Sequence, residues 1–181
     1  MCGKSELRRQ LRNRRKALSA DYRKTAQRKI EGNLFRLLKM RRGSIALYQS
    51  MGSEVDLSFW IKKVRRLRPK IVLYRPLYYP FKKKMHWVPL SKKLSHRPGE
   101  QISVNRLDWV LIPILGVDFQ GNRLGQGGGY YDASLRTVLL KNSPKKIAVG
   151  FDCQLVESLP CELHDVTMNA FISETKRLFF G

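Results

Sequence analysis

The sequence predicts a single α/β domain in three layers, with a mostly parallel central sheet flanked by helices. Three observations carry that prediction. Short apolar runs of strand length alternate with segments of helical periodicity, the pattern of a layered α/β domain. Two runs, Ile71-Val72-Leu73 and Trp109-Val110-Leu111-Ile112, are continuously apolar, as expected of strands buried on both faces of a parallel sheet. A chain of 181 residues, 43% of them hydrophobic, suffices for one core spanning residues 1–181.

Taken in order, residues 4–18 read as a helix, with Leu7, Leu11 and Leu18 on one stripe and arginines around the rest. Residues 21–41 read as a second helix, since Ile30, Leu34, Leu37 and Leu38 follow the i, i+4, i+7, i+8 rule. A strand is expected at 44–48. A third helix is expected at 56–67, where Leu57, Trp60, Ile61, Val64 and Leu67 keep helical spacing and Asp56 stands as N-cap. Strands follow at 70–74, 85–88, 108–114 and 146–151. A helix at 130–140 separates the last two, and 171–179 forms a closing edge strand. The polar stretch 91–105, with Pro98-Gly99, reads as a surface excursion.

Composition narrows the class. No apolar run approaches the roughly 20 residues of a membrane span, and the start of the chain lacks the apolar core of a secretory signal. The Arg-rich, acid-poor N-terminal segment has the composition of a mitochondrial presequence. The same residues read better as part of a folded site. Cys2, Cys153 and Cys161 are too few and too unpatterned for a disulfide framework or a zinc site. Free thiols in a reducing cytoplasm are therefore expected. Nothing in the sequence sets an oligomeric state, and a monomer is the default expectation.

The formal net charge is +22. Residues 1–107 hold 29 Lys/Arg against 6 Asp/Glu, and the remainder holds 7 against 8. Such a field attracts polyanions. Nucleic acid, ATP and a polyglutamylated small molecule all qualify, as does a merely solvated basic surface. A nucleic-acid-binding module competes on charge alone. It is not expected, because no binding motif is present and the aromatics do not interleave with the cations as a stacking stripe.

Chemistry concentrates at Arg123-Leu-Gly-Gln-Gly-Gly-Gly-Tyr-Tyr-Asp132, between an apolar strand and a helix. Four glycines in ten residues let backbone N–H groups approach an anion closely, and a helix start supplies unpaired donors. Arg123 can add a bidentate contact. Asp132 is a hard oxygen ligand suited to Mg²⁺ beside phosphates. The spacing is neither a Walker A loop nor a dinucleotide fingerprint. A tight turn with Tyr130 and Tyr131 packed as core aromatics would account for the same residues. Upstream, Lys4 and Arg8 are i, i+4 on one helical face, so both cations can reach a single polyphosphate.

The whole stretch Pro113-Ile-Leu-Gly-Val-Asp-Phe-Gln-Gly-Asn-Arg-Leu-Gly-Gln-Gly-Gly-Gly-Tyr-Tyr-Asp132 resembles the signature of the 5-formyltetrahydrofolate cyclo-ligase (methenyltetrahydrofolate synthetase) family. Lys4-Ser-Glu-Leu-Arg8, Ser50-Met-Gly-Ser-Glu54-Val, and Gln154, Pro160 and His164-Asp165 match further blocks in order along the chain. The resemblance implies ATP-dependent closure of 5-formyltetrahydrofolate to 5,10-methenyltetrahydrofolate. It implies ATP contacts from Lys4, Arg8, Arg123, Leu124, Gly125, Gln126, Gly127, Gly128, Gly129, Tyr130 and Tyr131, with Arg123 and Tyr130 in catalytic positions. Gln49 and Glu54 would hold the folate, with or without a polyglutamate tail, and Asp132 and Asp165 would lie near Mg²⁺. Three positions depart from the family pattern: Asn169 stands for an Asp, Ala133 for an Arg, and Gln126 for an aromatic or basic residue. An inactive scaffold of the same family is the alternative those departures leave open.

Overall fold

Apolar alternation along each strand sorts the core into two halves, one on either face of a seven-stranded sheet. The computed structural model describes residues 3–79, 81, 84–90, 101–136, 144–162 and 165–181. Its elements begin with α1 (Lys4–Lys16), α2 (Ala20–Leu37), β1 (Arg42–Ala46) and α3 (Ser58–Leu67). β2 (Lys70–Tyr79), β3 (Lys84–Pro89), β4 (Trp109–Pro113), β5 (Gly116–Val117) and β6 (Arg123–Leu124) follow. α4 (Tyr130–Leu135), β7 (Lys145–Val149), β8 (Ala170–Ile172) and β9 (Arg177–Phe179) complete the chain.

The sheet order is β3-β2-β1-β4-β7-β8-β9. Its five inner strands are mutually parallel, and β3 and β9 add antiparallel edges. Ile45, Leu111, Ile147, Val149, Ala170 and Ile172 face α2 and α3, where they meet Ile30, Leu34, Trp60 and Val64. Their neighbours Ala46, Val110, Ile112, Ala148 and Phe171 face the other way, toward Leu135 of α4, Met85 and Trp87. The period of two that a strand imposes thus builds the expected three layers. Among the described residues no helix is long and apolar enough to cross a membrane.

Several sequence expectations need correction. α1 ends at Lys16, so Leu18 packs on the core from outside the helix. α2 starts behind Ser19, whose hydroxyl accepts from the Tyr22 amide, and stops at Leu37 rather than at 41. The residue capping α3 is Leu57; Asp56 instead accepts from the Ser58 amide and hydroxyl. Val72 is 45% exposed, so the run 71–73 is not buried on both faces. β2 continues to Tyr79 and turns back into β3 as a hairpin. The segment 171–179 is two short strands, β8 and β9, rather than one. The β5–β6 hairpin was not expected. Residues 137–140 of the fourth expected helix and 91–100 of the expected excursion lie outside the described residues. Ile102, from the end of that excursion, forms a bridge with Trp87.

The chain order sets the place of the site. After β1 the chain crosses through α3 to β2 on one side; after β3 it returns to lay β4 on the other side of β1. The crevice outside the carboxyl ends of β1 and β4 is therefore a topological switch point, the place where open α/β sheets bind ligands.

Candidate active site

The turn after β1 and the long loop after β4 form the walls of a cavity of about 270 Å³ at that switch point. Tyr48, Gln49, Met51 and Glu54 come from the first, and Pro113, Arg123 and Gln126 to Asp132 from the second. Tyr78 of β2 completes the lining and stacks edge-on against Tyr130, ring centroids 5.4 Å apart. Of the expected site residues, Gln49, Glu54, Arg123, Gln126, Gly127, Gly128, Gly129, Tyr130, Tyr131 and Asp132 all line this one space. Leu124 does not; it is buried with Leu11, Leu115 and Leu159 and anchors the loop.

The glycine loop has a conformation that explains its composition. Gly127 has φ +103° and Gly129, just ahead of α4, has φ +69°, both in the region that side-chain-bearing residues avoid. Gly125 has a different reason: a Cβ there would lie 2.8 Å from the Arg123 guanidinium. The described part of α4 is only six residues long.

Arg123 is the central cation. Its side chain is 4% exposed, and Nη2 donates to Asp132 Oδ1 at 2.5 Å. Its guanidinium lies 5.6 Å from the Tyr131 ring centre. Asp132 Oδ1 also accepts from the Val166 amide at 3.3 Å, which ties Asp132 to the segment that carries Asp165. Asp165 in turn accepts from Lys4 Nζ at 2.8 Å, and Glu162 takes the same ammonium at 2.9 Å. Burial alone would depress the Lys4 ammonium, but these two carboxylates outweigh it and raise its pKa. Burial also raises the Tyr131 phenol, which therefore stays protonated.

α1 lies over the site through one stripe at positions 4, 8, 11, 12 and 15. Arg8 Nε donates to Gly125 O at 3.1 Å, and Arg12 Nη2 to Gln126 Oε1 at 3.0 Å. Leu11 is buried under the helix. Arg15 is buried as well and donates from Nε to Ser53 Oγ and from Nη1 to the Ile114 carbonyl. Gln126 Nε2 donates to Glu54 Oε1 at 3.1 Å, so this residue joins the two cavity walls. Sequence reasoning missed Arg12, Arg15, Tyr48, Met51 and Tyr78. The repeat of cations at i, i+4 and i+8 was a usable signal for Arg12; Tyr78 gave none, because β2 was read as ending before it.

The C-terminal block divides. Gln154 is buried and supports the loop, donating from Nε2 to the Ile114 and Leu115 carbonyls. Pro160 is exposed, and His164 lies outside the described residues.

This geometry places every quoted block except Pro160 and His164 around one cavity or directly behind it, and the match with known proteins runs the length of the chain. The model of the 5-formyltetrahydrofolate cyclo-ligase family matches residues 1–174. The chain belongs to that family. Among relatives named 5-formyltetrahydrofolate cyclo-ligase, the mouse protein is 30% identical over 94% of this chain and 93% of its own. The Haemophilus influenzae protein is 28% identical over 91% and 94%. The solved structure of a 5,10-methenyltetrahydrofolate synthetase from Mycoplasma pneumoniae superposes with a TM-score of 0.81 at 25% identity, covering 96% of this chain and 99% of that one.

Two departures from the cyclo-ligase pattern now have a location. Asn169 sits at the amino end of β8, where Oδ1 accepts from the Lys146 amide, at the opposite end of the strands from the cavity. It does not line the cavity. Gln126 keeps a bridging role through its contacts with Arg12 and Glu54.

Proposed function

We propose that this chain closes 5-formyltetrahydrofolate to 5,10-methenyltetrahydrofolate while ATP becomes ADP and phosphate. The observation that supports it is the shared cavity: Glu54 stands on one wall, and the glycine loop with the Arg123–Asp132 pair stands on the other. A formamide oxygen is a poor leaving group. Transfer of the terminal phosphoryl group of ATP to that oxygen makes it a good one; N10 then bonds to the formyl carbon as the C–O bond breaks, phosphate departs, and N10 loses its proton. Such a reaction asks the protein for positioning and charge stabilisation rather than a nucleophile. Cys153 agrees, since burial pushes its thiol up and it does not line the cavity.

The donor set fits a polyphosphate. Among the described residues Arg123 Nε and the Tyr131 hydroxyl are buried without a hydrogen-bond partner, a condition that costs about 1–3 kcal/mol per group and that an anion in the cavity would relieve. In this reading Lys4, Arg8 and the amides of Gly127 to Gly129 hold the phosphates, while Arg123 and Tyr130 border the transferring group. Glu54 and Gln49 receive the pterin. Asp132 and Asp165 fit Mg²⁺, which binds through one or two carboxylates plus substrate phosphates. Among the described residues no three metal-ligating side chains gather, in keeping with an ion that accompanies the nucleotide. When bound, Mg²⁺ neutralises phosphate charge. Lys4 and Arg123, paired here with Asp165 and Asp132, would supply further positive charge to the phosphates.

Around the site, the basic surface favours a polyglutamate tail, and a cytoplasmic, reducing setting keeps Cys153 and Cys161 as free thiols. The test is growth of the methenyl chromophore from 5-formyltetrahydrofolate. ATP-dependent product at equimolar ADP supports the reading, and absence of product with folded protein removes it. Arg8→Ala gives a finer result. It raises KM for ATP about tenfold, equivalent to ~1.4 kcal/mol, and leaves KM for the folate nearly unchanged. Loss of folate affinity with ATP affinity kept reverses the assignment of the two halves.

A further inference from the structure

We propose that Arg15 is a positioning residue for the folate half of the site, fixing the Glu54 carboxylate against the loop that follows β4. The inference rests on the reading of Glu54 as the pterin contact.

The geometry is that of a buried clamp. The side chains of Arg15 and Glu54 are only 4% and 5% exposed, and Arg15 Nη1 lies 3.8 Å from Glu54 Oε1. Arg15 Nε donates to Ser53 Oγ at 3.0 Å and Nη1 to Ile114 O at 3.1 Å. One guanidinium therefore joins α1, the turn after β1 and the chain after β4, the two segments that flank the switch point. A buried carboxylate without a counter-charge is costly, and among the described residues Arg15 is the cation that pairs with Glu54.

The distance is also informative. At 3.8 Å Arg15 supplies charge without taking a carboxylate lone pair. Glu54 Oε1 accepts from Gln126 Nε2 and Oε2 from the Met51 amide. A carboxylate offers about four acceptor sites, so about two remain for the adjacent ring N–H and amino donors of a pterin. Burial presses the Arg15 pKa down and Glu54 opposes that shift, consistent with mutual dependence of the two charges. Arg15 thus acts on the ligand through Glu54, while Lys4 and Arg8 on the same helix face the nucleotide half.

A mere structural staple would weaken everything equally, so the test is a double-mutant cycle. Wild type, Arg15→Gln, Glu54→Gln and the double variant are compared by KM for each substrate and by equilibrium titration with 5-formyltetrahydrofolate alone. Arg15→Gln is expected to weaken folate about tenfold with KM for ATP within about twofold. In the Glu54→Gln background it adds less than about twofold, because coupled residues are non-additive. Arg15→Lys, which returns the charge without the fork, recovers part of the loss. A tenfold loss in both backgrounds, or equal loss for ATP, overturns the proposal. Should Arg15→Gln not fold, Ser53→Ala takes its place in the cycle, removing the Nε acceptor, with the same non-additivity expected. A wild type that binds folate but forms no product overturns the cyclo-ligase reading alone, and the binding cycle still decides the role of Arg15. A weakened Glu54→Gln beside a normal Arg15→Gln overturns only the inference.

Discussion

Asp132→Asn lowers turnover by about 10²–10³, the usual cost of deleting one preorganised charge contact at a reacting centre, while the chain still folds. The substitution keeps Oδ1, so Arg123 Nη2 and the Val166 amide retain their acceptor. What is lost is the negative charge. Two contributions go with it: the oxygen ligand that the proposed function assigns to Mg²⁺, and the counter-charge that pairs with Arg123. Stability falls by about 1–3 kcal/mol, because a buried guanidinium loses its charged partner. The rate loss is expected at saturating Mg²⁺ and deepens when Mg²⁺ is limiting. Near-normal rates at limiting Mg²⁺ count against the metal role of Asp132.

Arg123→Lys has a comparable effect on turnover, about 10²-fold or more, although the charge is conserved. Arg123 uses a planar fork: Nη2 engages Asp132, Nε points no hydrogen bond at any described group, and the guanidinium lies over the Tyr131 ring. An ammonium can reproduce one of these contacts. Gly125 is part of the same arrangement, since any Cβ there meets Arg123 Nη1 at 2.8 Å. Substrate affinities fall less than kcat if Arg123 acts mainly on the transferring group. A uniform rise in both KM values with kcat unchanged makes Arg123 a binding residue only.

Much of this was legible in the sequence, and the limits have physical causes. β4 was found because Val110, Leu111 and Ile112 are buried on both faces, which a continuous apolar run reports. The expected strand stops at Tyr74, whereas β2 runs on through Pro76, a residue that normally ends a strand. It is tolerated because β1 pairs with β2 only as far as Tyr74, so the strand is an edge beyond that point. That error hid Tyr78 and the hairpin with β3. The glycine loop, Arg123 and Asp132 were visible because a phosphate-approaching loop needs an unusual local composition. Arg15 was hidden for the opposite reason. In a helix with Arg8, Arg9, Arg12 and Arg14, nothing local distinguishes the one arginine that the turn after β1 buries. The pairing of Lys4 with Asp165 is likewise a tertiary fact spanning 161 positions.

Phosphoryl transfer to the formyl oxygen and mere hydrolysis of ATP beside a bound folate differ in the fate of that oxygen. Substrate carrying ¹⁸O in its formyl group tests that most directly. With transfer to the formyl oxygen, the inorganic phosphate released by wild-type enzyme carries one ¹⁸O for each methenyl product formed. Phosphate whose new oxygen comes from the water, with the label absent, contradicts it.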